Sequence, residues 1–573
     1  MSTINKQLAK TMAANSVELP NSASEKKAAQ YEEKEIAQLE HVNTTATAIT
    51  TIEAQQAHNV ALFDANGDII LQPAPTRDPK DPLNMTLTHK LLCCTALCFF
   101  GALSAAAELI LGAMLPVFSL EYAGLDPKLL LPWTESANFL PPGSDPLKAL
   151  DSLGGPPIWK IYLLASLPVL VIGIANLALV PLAISTGRRA IVLGTGVLAI
   201  IGCVWSGTSA SLDSHLAARC VQAVGAGTVE SLIPFIIQDM VHVHKRNTWM
   251  SGVFAAQGII IIALGFASPY IIIYLNWRWV YYMTAAGAGF FLIGCFFFMP
   301  ETRYARTRSE MEGTPRDDAD VEYSPRTWKW DLALFHGEME WRKGWNAFLD
   351  TMRTFFYPQI FFITMLHSAM MAAALAAAYT VAANLLVKPW AWSFLHLGFC
   401  LVPVLIAAVF IAVITGGVAD WVANAMAKTR GRRLPENQLV NLILPIITAL
   451  AGCVLFGITG EDPSRYHWAL FLFALGLMAF GFLGANAVGA VYVLETYPHL
   501  AGPSLVNIAS FRCLLAFIFS FRVSEWIADF GYSKTMNIYT GIMGAFAALV
   551  PVVYIYGPAW KRRWPADKCG DYY

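Results

Sequence analysis

Residues 160–208 read KIYLLASLPVLVIGIANLALVPLAISTGRRAIVLGTGVLAIIGCVWSGT. Two apolar stretches, near 160–183 and 190–210, flank a short polar turn carrying Gly187, Arg188 and Arg189. About 20 apolar residues are enough for a helix to cross a bilayer, and each stretch reaches that length. Hydrocarbon offers no partner to a backbone amide, so each crossing must satisfy its own hydrogen bonds as a helix. The pair therefore reads as a membrane hairpin with a basic turn on one side.

The same pattern recurs outward in both directions. Apolar stretches lie near 91–118, 160–183, 190–210, 214–239, 249–273 and 279–299, and again near 359–386, 394–419, 439–459, 467–494, 503–528 and 536–556. With 56% hydrophobic and only 14% charged residues, the chain falls far below the roughly 25% charge of soluble domains. The fold class expected is all-α and polytopic, two six-helix bundles with pseudo-two-fold symmetry. Its parts are a cytosolic, mostly disordered tail (1–89), a first bundle (90–300), a cytosolic central loop (301–358), a second bundle (359–560) and a cytosolic tail (561–573). Ser22 and Glu25 are spaced as a capping box ahead of strong helix formers, which predicts a short solvated helix in the first tail.

Lys and Arg collect in cytosolic loops, and here they collect on alternate turns. Arg188 and Arg189, Lys245 and Arg246, the central loop, Lys428 to Arg433, and Lys561 to Arg563 all fall on one side. Both termini are thus expected in the cytosol of a cell-membrane protein, with the sequons at Asn43 and Asn84 unglycosylated. A net charge of -1 gives no reason to expect nucleic acid as a partner. Nine of the 10 cysteines sit in apolar runs without metal or disulfide spacing, so neither metal nor cofactor is expected. No phosphate-binding Gly-x-x-x-x-Gly-Lys motif occurs and no His-Glu-x-x-His, which argues against an ATP-driven pump and against a membrane enzyme.

Several short motifs follow one another in order. Asp78-Pro79-Lys80-Asp81-Pro82-Leu83-Asn84 precedes the first stretch, and Gly187-Arg188-Arg189 closes the turn after the second. Arg219, Gln222 and Gly225 form Arg-x-x-Gln-x-x-Gly, extended by Glu230, Pro234 and Asp239. Pro300-Glu301-Thr302-Arg303, Gly417-Val418-Ala419-Asp420 with Gly431-Arg432-Arg433, and Tyr492-Val493-Leu494-Glu495-Thr496-Tyr497 complete the series. Together they resemble the fungal twelve-span drug:proton antiporter branch of the major facilitator superfamily. The chain departs from that pattern at Met85 for Trp, and at Val180 and Ile184 for the Gly and Asp of the turn between the second and third spans. Gly258, Gly265 and Pro269 are a thinned form of the branch's fifth-span motif.

Candidate site residues come from charge in hydrocarbon, which is expensive unless paired, hydrated or protonated. Glu108 lies mid-stretch and should face a cavity. Arg219 and Glu230 are eleven residues apart, roughly 16 Å along one helix face, too far to touch. A polar pathway on that face, or a structural network reaching Glu108, would explain both. The resemblance implies proton coupling at Arg219 and makes Glu230 a candidate proton acceptor or cation site. Gln257, His367, Asn486 and Arg512 are further intramembrane polar residues that could line the cavity or pack helix to helix, and Arg512 requires a counter-charge.

Asp239 and Glu495 end equivalent helices of the two halves, so Arg188 or Arg189 with Asp239, and Arg430, Arg432 or Arg433 with Glu495, are candidate gating pairs. Asp420 is expected to gate or anchor a loop. The function expected is a monomeric secondary carrier exporting a drug or secondary metabolite against protons through the lipid bilayer. Import of polyamines or other organic cations is the alternative, and a non-transporting receptor a remote one.

Overall fold

The computed structural model describes residues 71–109, 111–126, 156–311, 313–317, 321–430 and 434–564. The capping-box segment after Ser22, Asn43, Arg432 and Arg433 lie outside the described residues, as does the side chain of Glu108. Among the described residues every regular element is helical. Span 1 comprises the helical stretches Leu87–Leu109 and Leu111–Tyr122. Among the described residues eleven further helices are long and apolar enough to cross a membrane. They are Trp159–Thr186, Arg188–Thr208, Leu212–Met240, Val243–Tyr274 and Trp277–Phe298 (spans 2–6), then Pro358–Leu386, Phe394–Thr429, Asn437–Glu461, Trp468–Thr496, Ala501–Ser520 and Tyr532–Arg563 (spans 7–12). The protein is a multi-pass helical membrane protein.

Hydropathy located the crossings, while helix ends answer to backbone chemistry that hydropathy does not see. Span 11 stops at Ser520 and a separate helix, Val523–Phe530, follows after Phe521 and Arg522. Gly531, at φ +85, turns the chain into span 12. Span 12 bends at Ala548–Leu549 and then continues past its apolar stretch to Arg563, where Lys561, Arg562 and Arg563 complement the negative end of the helix. Span 8 passes through a π-helical segment, Ala412–Val418, before its last turns carry Asp420. The central loop is itself partly helical and includes Trp341–Thr354, which packs on spans 2 and 11.

Without a hydrophobic force between helices in lipid, close approach depends on small residues. Spans 3 and 4 cross at two of them. A Cβ on Gly202 would lie 2.3 Å from the Gln222 amide nitrogen, and one on Gly225 would lie 2.3 Å from that of Ala199. Because backbone rather than a flexible side chain fills the space, neither contact can yield. Gly202→Val is therefore expected to destabilise the purified protein by about 1–3 kcal/mol, read as a lower melting temperature in detergent. Gly194→Val on the same helix meets nothing within 4 Å and should melt like the parent.

Candidate functional site

Spans 4, 5, 7, 8 and 10 enclose a cavity of ≈ 180 Å³ between the two halves. Its wall is apolar over most of its area, with Met371, Leu375, Leu401, Met478 and Phe482 among its residues. Glu230 is the one carboxylate among the described lining residues, joined by Gln257, Ser268 and Asn486.

Span 4 positions Glu230 by breaking. The helix Leu212–Ala226 ends in a turn at Gly227 and Thr228, and Val229–Met240 begins anew. The turn is close-packed: a Cβ on Gly227 would lie 2.7 Å from that of Ala175 on span 2. Glu230 thereby sits in the first turn of a half-helix, where unsatisfied amides favour a negative charge. Arg512, on span 11 in the other half, makes a salt bridge to it. The Arg512 side chain is 1% exposed and that of Glu230 25%, so the cation is sealed while the anion opens to the cavity. Arg512 also donates to Asn486 Oδ1 and lies 5.7 Å from the Phe482 ring centroid. Carboxylate, amide oxygen and ring face make a cation cradle, and the guanidinium of Arg512 fills it.

The remaining candidates are placed apart from this cluster. Arg219 belongs to the first half-helix, fully buried, with Nη1 donating to Gln222 Oε1 at 2.7 Å and Nε to the Leu164 carbonyl at 3.4 Å. It lies 5.9 Å from the Tyr281 ring, whose hydroxyl bonds His215 Nε2 at 2.9 Å, while Tyr122 bonds His215 Nδ1 at 2.9 Å. His215, unremarked in the sequence, thus ties spans 1, 4 and 6 together. Gln257 lines the cavity beside Gly101 of span 1. His367 is buried against Gly489 of span 10, outside the cavity lining.

On the face carrying the basic turns, Arg188 Nε lies 3.4 Å from Asp239 Oδ2. Arg189 instead donates to the Met299 and Phe296 carbonyls at the end of span 6. Glu301 accepts the backbone amides of Arg188 at 3.0 Å and Arg189 at 3.2 Å, capping span 3. Gly187, at φ +115, leaves room for that carboxylate: a Cβ there would meet Glu301 Oε2 at 2.4 Å.

In the second half the pattern differs. Asp420 accepts the Thr248 amide at 2.8 Å, its hydroxyl at 2.6 Å and the Asn247 amide at 3.3 Å, capping span 5 across the seam between halves. Glu495 accepts from Gln438 Nε2 at 2.9 Å, and Gln438 Oε1 accepts in turn from Asn247 at 3.1 Å. Just ahead of span 9, burial pushes the Glu436 carboxyl above its usual range.

Two helical halves with a charged cavity between them are the architecture of a membrane transporter. The chain belongs to the Major Facilitator Superfamily, whose model matches residues 149–520. An uncharacterized MFS-type transporter of Schizosaccharomyces pombe is 20% identical over 539 residues, 84% of this chain and 86% of that protein. An MFS-type efflux transporter of Pyricularia grisea is 25% identical over 113 residues, 20% of this chain and 19% of its own length. Among solved structures, the proton:xylose symporter XylE shares the fold, with a TM-score of 0.53 at 15% identity over 81% of this chain and 95% of that one.

Breaking a buried pair by removing one partner costs about 3–5 kcal/mol, because the other charge is stranded. Glu230→Ala, which strands the sealed Arg512, should approach that loss. Arg512→Met, which leaves a carboxylate already facing the cavity, should lose less. The double variant Glu230→Ala/Arg512→Met should lose well less than the sum of the single losses. Strictly additive melting shifts would mean that the two residues do not pair.

Proposed function

We propose that the protein is a proton-coupled secondary carrier of the drug:proton antiporter branch, exporting a small apolar molecule with one positive charge. The observation that carries this reading is the cation cradle of Glu230, Asn486 and Phe482, which already holds a cation of the protein's own. An apolar molecule with a cationic group matches both the wall and the single carboxylate. A polyamine carries several charges and finds only one carboxylate among the described lining residues; a sugar finds few hydrogen-bonding groups there.

Competition for Glu230 supplies the coupling. A proton neutralises the carboxylate, or a substrate cation takes the place of Arg512; in either case the bond that joins spans 4 and 11 is given up. The halves are then free to rock about the cavity, as alternating access requires. Arg219 keeps the coupling role that the resemblance implies, acting through span 4 and not by contact with Glu230. Arg188 with Asp239 orders the basic face of the first half, while Asp420, capping span 5, and Gln438, between Glu495 and Asn247, hold the two halves shut there in one state. The positive-inside rule supports a cytosolic position for that face and both termini. The local resemblance to an efflux transporter supports export.

Flux into proteoliposomes under an imposed proton gradient tests the assignment. Tetraphenylphosphonium should move saturably and faster with the gradient than without, whereas spermidine and xylose should not compete. Glu230→Gln should melt below the parent yet stay folded at the assay temperature, and lose at least about tenfold in gradient-driven flux, the effect of some 1.4 kcal/mol on the coupled step. Unchanged flux and unchanged pH dependence in that variant would sink the role of Glu230.

A further inference from the structure

The helix Trp341–Thr354 is amphipathic in an inverted sense. Its side toward the spans is small and polar: Gly344, Ala347, Asp350, Thr351 and Thr354 are buried. Glycine is required where the helix meets span 2, since a Cβ on Gly344 would lie 2.8 Å from the Pro181 carbonyl oxygen and 2.9 Å from Ser185 Cβ. The Glu340 amide donates to the Ser185 carbonyl at 3.0 Å, and Asn507 of span 11 donates to Thr354 Oγ1 at 2.8 Å. The apolar side points away from the protein, with Trp341 60% and Trp345 63% exposed and Phe348 stacked on Trp345 at 5.6 Å.

Depth and charge identify what covers this face. Pro181 and Ser185 lie inside span 2 and Asn507 inside span 11, so the helix lies at the level of the span ends and not in the solvent beyond them. Its aromatic face leads directly to lipid-facing surface. Phe356 is 75% exposed, and Phe355 packs on Phe361 of span 7 at 5.5 Å and on Phe511 of span 11 at 4.1 Å. Lys343 spends its charge locally on Glu340, at 2.6 Å, and holds that carboxyl below its usual range. Arg342 and Arg353, eleven residues apart and so about three turns along one edge, are exposed to the medium, Arg353 while also donating to the buried Asp350 at 3.2 Å. An exposed tryptophan face flanked by arginines is the composition of a helix lying in the headgroup layer.

We infer that Trp341–Thr354 is an interfacial anchor, which sinks Trp341 and Trp345 into the bilayer boundary on the basic face and binds acidic phospholipid headgroups through Arg342 and Arg353. The anchor holds the chain between the two halves, against spans 2 and 11, in the plane about which those halves move.

The full-length protein and its Trp345→Phe variant, reconstituted in phosphatidylcholine vesicles with and without phosphatidylserine, give the Trp345 fluorescence by difference. Bromines near the headgroup end of the acyl chains should remove about half of that signal and bromines near the bilayer centre little of it, as befits a ring buried roughly 5–10 Å into the boundary. The shallow quenching should be stronger with phosphatidylserine, and Arg342→Gln/Arg353→Gln should abolish that difference. Quenching by aqueous iodide in place of lipid bromine would overturn the inference. So would quenching that ignores phosphatidylserine, or Trp345 reaching iodide only after deletion of residues 1–70, which would make the tail its cover.

Discussion

The arrangement of the interior follows from one charge that cannot be left alone. Arg512 is sealed in span 11 at 1% exposure, and a guanidinium does not shed its proton to escape hydrocarbon. It must be neutralised in place, and the carboxylate that does so lies on the opposite half of the molecule. The two halves are therefore joined near mid-membrane by an ion pair, and that pair is also the polar head of the cavity between them. Asn486 accepts a further bond from Arg512, and the half-helix beginning at Val229 supplies favourable amide dipoles to Glu230. Each of these features has little purpose without the arginine.

Away from the midplane the halves close on the basic face by two chemically different seams. On one, Asp420 caps span 5 of the other half, and Ser251 and Thr415 meet at 3.1 Å just inside it. On the other, Ile184 takes the place expected for an aspartate and packs toward Gly502 at the start of span 11, where a Cβ would lie 2.8 Å from it. One seam is polar and directional, the other apolar and tolerant of sliding. With its aspartate lost, the turn after span 2 draws its order from its own half, through Glu301, Arg189 and Asp239.

The spans, and a pairing of Asp239 with Arg188 or Arg189, were legible because both depend on short-range pattern: apolar run length in one case, adjacent helix ends in the other; which of the two arginines pairs was not. The partner of Arg512 was not, since it depends on how far spans 4 and 11 slide past each other, and apolar helices carry no mark of that register. Glu230 and Arg219 share a helix by sequence, but the turn at Gly227 and Thr228 divides it, and a Gly-Thr pair within an apolar run does not announce a break. Asp420 was expected at a gate or loop. It caps span 5 through two backbone amides and the Thr248 hydroxyl, and the amides leave no trace in side-chain identity. The inverted amphipathicity of Trp341–Thr354 was hidden for a similar reason: its polarity pattern is that of any surface helix until the side touching the protein is known.

The glycines of span 5 show why a thinned motif can still keep its mechanical purpose. Gly265 admits the side chain of Leu401, whose Cδ1 would lie 2.2 Å from a Cβ at that position, and Gly258 faces Ala408 at 3.5 Å. Both therefore set the distance between spans 5 and 8, which is also the width of the cavity wall opposite span 10. Larger residues at these positions would push the halves apart there before any substrate entered. What the fifth span must supply is closeness at two turns, and two glycines provide it; Pro269 lies beyond them inside the same helix, where it removes one backbone hydrogen bond.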